Sequence, residues 1–390
     1  MILTNCRLIP ELTGGIMSEH GTITVEGGKI VSVSPEAYAG PEAAFDCGGR
    51  TLLPGLIDMH THITLLSGVG ENCKGDPLQF EVEAARQARY YLKHGFTTIR
   101  SCGEAYRVSN YIRDMINEGL LEGPTILSSG CTLYSSVAMK PSGIPGTDSF
   151  CDGPEEFTRG VRVEMAYGAD QIKIYASGSA YNPTGAPLNP IMTDAEIKAA
   201  TDAARMNNTY VAAHAHADSA IRACIANGVR TIEHATYLSE ETLALLLQTE
   251  DCYLVPTLSA MYVNEQEPVM RQFWIDRLTP MLEASGANIE RAYRAGAVIG
   301  FGTDSAPGRG QYENGVEFQY RKEYCHMADL EILLQATKVS AEILGLAGRK
   351  GELIAGADAD LVLVDGKPDE DISVMYRRPE HVWKGGKQFV

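Results

Sequence analysis

Between residues 54 and 350, short runs rich in Val, Ile and Leu alternate with longer stretches whose apolar positions recur every three or four residues. Such a texture predicts repeated βα units around a parallel sheet. Eight runs read as strands: LLPGLIDMH, TTIRS, PTILSS, QIKIY, YVAAH, RTIEH, YLVPT and VIGFGT. Eight parallel strands close a TIM-type (β/α)8 barrel, so an α/β barrel is the expected fold and an open doubly wound sheet the alternative. The helices carry matching punctuation. Thr193 and Glu196 form a capping box ahead of DAEIKAATDAARMNN, and Gly228 stops a helix whose inner stripe is Ile221, Cys224 and Ile225.

Both ends of the chain have a different pattern. Residues 1–53 read as short strands and turns, with Gly27-Gly28 as a hairpin signal between alternating Val and Ile. Residues 351–390 return to that character in GELIAGADADLVLVDG and HVWKGGKQFV. The two ends are therefore expected to pair into a small β-sandwich domain (1–53 plus 351–390) beside a catalytic barrel (54–350).

Composition narrows the function. With 33 basic against 50 acidic residues the formal net charge is −17, and no run of Lys or Arg offers a phosphate track, so nucleic acid is not an expected partner. No apolar run approaches the ~20 residues of a membrane span, and MILTNCRLIPEL lacks the pattern of a signal peptide. The nine cysteines are scattered without a CxxC pair, which fits reduced thiols in a cytoplasmic protein.

Candidate chemistry lies at the C-terminal ends of the strands, the face where barrel enzymes hold their active sites. Five of the nine histidines fall there: His60, His62, His214, His216 and His234. His60 and His62, spaced i, i+2, point to one side of a strand and could grip one metal ion or form a hydrogen-bonded core pair. Lys173 alternates with Ile172 and Ile174 and so faces the interior, where an unpaired ammonium is costly. Residue chemistry alone favours a salt bridge there, with a metal-bridging carbamate as the other solution. Asp304 follows the glycine-containing strand VIGFGT, where a carboxylate can ligate metal and carry a proton.

In this order, HxH after strand one, a lysine in strand four, histidines ending strands five and six, and an aspartate after strand eight resemble the binuclear metal site of the amidohydrolase superfamily. The resemblance runs through TLLPGLIDMHTH, VAAHAH, TIEHATYL, GTDSAPG and GELIAGADADLVLVDG. It points in particular to the branch of prolidase-like dipeptidases, carboxypeptidases for single C-terminal residues, ochratoxin-cleaving amidase and, more distantly, imidazolonepropionase. It implies two divalent ions per chain: His60, His62 and Asp304 on one, His214 and His234 on the other, and carboxylated Lys173 between them. Zinc is the first choice of metal. His216 matches the second histidine of an HAH motif and is expected beside the ligands or facing substrate. Two departures concern specificity: the strand-two TVRD-like motif is TIRS, with Ser101 in place of the acid, and the loop SSGCTLYSSVAMKPSG lacks a TGGH-type histidine.

The function implied is a metal-dependent hydrolase of an amide-type C–N bond in a small molecule, an N-acyl amino acid or dipeptide. Attack would come from a metal-bridging hydroxide, with Asp304 as general base and acid. Alternatives are a cyclic-amide or aryl-amide hydrolase, a deaminase using one metal, and a catalytically silent binding protein. Arg100 is a candidate for a substrate carboxylate or for a structural ion pair, and Tyr237 for a substrate carbonyl or for packing. Lys140 and Arg309 read as solvated charges, Cys102 and Cys131 as small core residues. A homo-oligomer is expected.

Overall fold

The computed structural model describes residues 1–64, 77–138, 149–180, 187–261, 272–307, 312–313 and 315–390. Lys140 and Arg309 lie outside them. Five strands open the chain: β1 (Ile2–Leu8), β2 (Ser18–Glu26), β3 (Lys29–Ser34), β4 (Phe45–Asp46) and β5 (Thr51–Pro54). Seven more follow between helices: β6 (Leu56–Thr61), β7 (Phe96–Ser101), β8 (Thr125–Ser128), β9 (Ile172–Tyr175), β10 (Val211–Ala215), β11 (Thr231–His234) and β12 (Tyr253–Val255). Near the end come β13 (Leu361–Val364), β14 (His381–Lys384) and β15 (Lys387–Gln388).

The chain is an α/β protein with parallel sheets. One sheet has the order β6-β7-β8 and a second the order β12-β11-β10-β9, with every pairing in both parallel. Lone parallel bridges link their margins: Leu133 with Ile174 beyond β8, Leu254 with Ile299 beyond β12, and Thr61 with Ser305 beside β6. The run VIGFGT makes only such a bridge and scattered backbone bonds, for example Met59 N–H to Phe301 O at 2.7 Å and Thr303 N–H to His60 O at 3.3 Å. Its glycines explain the approach: a Cβ on Gly302 would sit 2.7 Å from Val255 and 3.0 Å from His60.

The run LLPGLIDMH, read as one strand, is two. Gly55 separates β5 from β6, and a Cβ there would fall 1.9 Å from Thr97 Oγ1. β5 turns away to pair with β13, so strands from both ends of the chain share one eight-stranded sheet, β15-β14-β13-β5-β1-β2-β3 with β4 on β1. This sheet has its own apolar cluster, including Leu3, Leu8, Ile23, Leu361, Leu363 and Trp383. Gly27 and Gly28 form its hairpin with φ of 55° and 78°, a left-handed pair that glycine adopts without Cβ strain.

Helical punctuation follows the sequence. Thr193 accepts from Glu196 N–H, Glu196 caps Thr193 N–H in return, and the helix Asp194–Met206 buries Ile197, Ala200 and Ala204. The helix Asp218–Ala226 buries Ile221, Cys224 and Ile225, and the chain turns at Gly228 with φ of 80°. Among the described residues no helix is long and apolar enough to cross a membrane.

Candidate functional site

The C-terminal ends of β6, β9, β10 and β11 converge, and with them the titratable residues singled out above. On β9, Lys173 and Tyr175 point to the side opposite Ile172 and Ile174, as the two-residue period requires. Lys173 is 1% exposed and its Nζ lies 3.5 Å from His60 Nε2. His60, His62 and Asp304 form one group of potential ligand atoms, all within 4.8 Å of one another; His214, His216 and His234 form another. The rings are contiguous, with centroids 4.9 Å apart for His60 and His234 and 4.5 Å for His214 and His234.

Backbone geometry aims these groups. His234, Ala235 and Asp304 have φ of 69°, 49° and 53°, a left-handed conformation rare for residues with a Cβ and typical of functional sites. In Asp304 it brings Oδ1 within 3.2 Å of His62 Nε2 and 3.5 Å of His60 Nε2. Asp58 braces this corner: its buried carboxylate accepts from His60 N–H at 3.0 Å, Thr303 N–H at 3.1 Å, Thr303 Oγ1 at 2.6 Å and the Tyr312 hydroxyl. Burial pushes the Asp58 carboxyl up to about 7, against the hydrogen bonds from Thr303 and Tyr312.

Every imidazole of the cluster has one nitrogen engaged by protein. His60 Nδ1 meets Glu233 Oε2 at 2.7 Å, His62 Nδ1 meets Gly103 O at 3.0 Å, and His234 Nδ1 meets Thr257 Oγ1 at 2.6 Å. His214 Nε2 meets Gly178 O at 3.2 Å and His216 Nδ1 meets Thr236 Oγ1 at 2.8 Å. One nitrogen per ring therefore remains for the cluster, which is how ligating histidines are held in metal sites. Burial, then Lys173, lowers His60 to about 4; burial lowers His216 to about 3. His214 and His234 lie well below the usual imidazole value, through burial and then their neighbouring imidazoles. These four are neutral, the form that binds a cation. His62 differs: burial opposes its charge, but Asp304 and Glu104 outweigh it and raise it to about 9. The donor set of imidazoles and a carboxylate around an interior amine fits divalent ions.

A third convergent group, His60, Cys102 and Glu233, is engaged otherwise. Burial raises the Cys102 thiol to about 11, so it stays protonated, and Glu233 is held by Arg100. Cys131 is also buried.

A family model for the amidohydrolase family matches residues 51–389. The chain belongs to the amidohydrolase family. As an amidohydrolase it is a hydrolase acting on C–N bonds, and its histidine and aspartate clusters suit the divalent metal such enzymes use. This amidohydrolase is 29% identical to the ochratoxinase of Aspergillus niger over 374 residues, 87% of this chain and 75% of that one. It resembles the structure of a prolidase complexed with N-methylphosphonate-L-proline, with TM-score 0.89, 31% identity and coverage of 100% and 98% of the two chains. A Xaa-Pro dipeptidase with bound methionine gives TM-score 0.87, 28% identity and coverage of 100% and 99%.

Of the two readings of Arg100, a substrate contact or an ion pair, the geometry shows the ion pair. Arg100 is fully buried and each of its nitrogens donates inside the amidohydrolase: Nε to Met59 O at 2.5 Å, one amino group to Thr231 Oγ1 at 2.9 Å, the other to Glu233 Oε1 at 2.6 Å. It forms a buried ion pair with Glu233, and each of its three guanidinium nitrogens is engaged inside the protein. Tyr237 is half-buried beside His216, its N–H bonded to His216 O at 3.0 Å.

Three residues escaped the sequence reading. Glu233 holds His60, as described. Glu104 is a buried acid just past strand two: it accepts from Ile63 N–H at 2.7 Å, Thr64 N–H at 3.1 Å and Ser101 Oγ at 2.8 Å, and lies 3.7 Å from His62 Nδ1. Tyr175 stacks on His214 at 4.2 Å, with Tyr134 and Phe150 continuing an aromatic series. Tyr175 stands two residues beyond Lys173 on one strand, so the alternation that exposed the lysine also marks the tyrosine.

Proposed function

We propose that this amidohydrolase cleaves the amide-type C–N bond of a small carboxylate-bearing substrate, an N-acyl amino acid or a dipeptide, at two divalent ions. His60, His62 and Asp304 would hold one ion, His214 and His234 the other, with Lys173 between them as a carbamate. The amine would add to the carbon of carbon dioxide and lose a proton, replacing an interior ammonium by an anion among cations. The observation that carries the reading is the pair of adjoining ligand groups, joined through the His60 and His234 rings, with the buried Lys173 amine 3.5 Å from His60. Zinc suits these donors first.

Divalent ions bound there supply Lewis acidity toward water and toward the scissile carbonyl. The chain's own residues supply the rest. Asp304, with its side chain 18% exposed at the mouth of the cluster, takes a proton from the attacking water and hands it to the leaving nitrogen. His216 and Tyr237 border the space where the acyl group lies. The scaffold that performs this is a closed (β/α)8 barrel over residues 54–350 with a β-sandwich from 1–53 and 351–390. Bridges at both margins of the parallel sheets and the separate apolar cluster of the terminal strands support that division.

The prolidase and Xaa-Pro dipeptidase likenesses support the dipeptide class. A second reading, an aryl or cyclic amide, is favoured by the burial of Arg100 and by the aromatic series Tyr134, Phe150 and Tyr175. A hydrolysis screen of zinc-loaded protein in bicarbonate, spanning N-acyl amino acids, dipeptides, cyclic amides and aryl amides, separates them. Turnover of the first two classes supports the proposal; turnover confined to the last two replaces it with the second reading.

A further inference from the structure

Of the five clustered imidazoles, His60 alone has a carboxylate as its hydrogen-bond partner within 3 Å; the other partners are two carbonyls and two threonine hydroxyls. That carboxylate is itself immobilised. Glu233 Oε1 accepts from Arg100 at 2.6 Å and from Thr231 Oγ1 at 2.6 Å, Arg100 also bonds Thr231 at 2.9 Å, and Arg100 and Glu233 are 0% exposed. The second oxygen is left for His60 Nδ1.

A fixed carboxylate at Nδ1 compels that nitrogen to carry the proton, leaves Nε2 bare toward the cluster, and makes it the better donor to a cation. The same side holds Asp304 and, 3.7 Å from His62, Glu104. The His214 and His234 side has neutral partners only, Gly178 O and Thr257 Oγ1.

Resting on the two-ion reading above, we infer that the two ion positions are unequal. The His60, His62 and Asp304 position fills first and holds its ion more tightly, and Glu233, fixed by Arg100 and Thr231, is the positioning residue responsible. Arg100 thus acts on the metal site through Glu233.

The test titrates chelator-stripped protein with cobalt(II) in bicarbonate, following visible absorption and heat. Wild-type protein should show two binding events of different affinity. Glu233→Gln keeps the side chain's size and should weaken the tighter event by about 10–100-fold while leaving the weaker one in place. Thr257→Val, which removes the hydroxyl partner of His234, should weaken only the second event. If Glu233→Gln does not fold, as judged by circular dichroism, Thr231→Val loosens the same carboxylate and should lower the tighter affinity by a smaller factor. Two events in wild type with the tighter one unmoved, or both weakened equally, overturn this inference alone. A single ion in wild type overturns it together with the two-ion reading.

Discussion

Lys173 Nζ lies 3.5 Å from His60 Nε2, in an interior where the lysine is 1% exposed. The described structure places no carboxylate in salt-bridge contact with Lys173, although His60 itself meets both Glu233 and Asp304. The proposed carbamate resolves this arrangement by making the lysine an anion.

Lys173→Ala should therefore lower turnover by orders of magnitude, and short carboxylic acids should restore part of it by standing in the vacated space. Assays with and without added formate or acetate measure this. Full activity of the variant without any added acid would remove the bridge from the mechanism.

Asp304→Asn keeps an oxygen near His60 and His62 but cannot carry the proton. Turnover should fall by about 10²–10⁴-fold, with ions retained on the His214 and His234 side. Steady-state kinetics alongside elemental analysis separate the two effects, and near-normal turnover would assign proton transfer elsewhere.

Arg100→Met should act on stability and, through Glu233, on metal affinity, but not on substrate recognition. Removing one partner of a wholly buried ion pair costs about 3–5 kcal/mol, read as a lower denaturation midpoint. Substrates with a free or an amidated carboxylate on the leaving side should be discriminated to the same degree by the variant and the wild type. A selective loss of preference for the free acid would return Arg100 to the substrate.

In the terminal sheet, Asp358 takes Lys29 at 2.5 Å and Lys350 at 2.9 Å. Burial works against this carboxylate, but those hydrogen bonds and charges win and hold it at about 2, below its ordinary 3.8. A depressed carboxyl contributes stability that is complete above the unfolded value and is lost as pH falls from about 4 toward 2. Asp358→Asn should be less stable than wild type at pH 6, and the gap in urea midpoint should narrow at pH 3. A gap independent of pH would mean that the ion pairs contribute nothing.

The ligand-type residues were legible because polar side chains at the ends of apolar strands violate the pattern around them. Lys173 stood out between two isoleucines for that reason. Glu233 was hidden by the same rule: in an extended strand it would face away from His234. The φ of 69° at His234 breaks the alternation, so both side chains reach the site. Arg100 stayed open between a substrate contact and an ion pair because periodicity gives the face of a strand but not the height of a residue along it. Its reach to Met59, Thr231 and Glu233 is a matter of register between β6, β7 and β11, which lies beyond local sequence. The eighth strand read from VIGFGT reduces to a bridge, since its glycines trade ladder pairing for close approach to His60 and Val255.

The central claim, a two-ion centre that performs amide hydrolysis, is tested most directly by counting ions in active protein. Elemental analysis of catalytically competent protein after exhaustive dialysis should give about two divalent ions per chain, falling together with activity in His60→Ala and His234→Ala variants that remain folded. Active protein containing no bound metal would contradict the account.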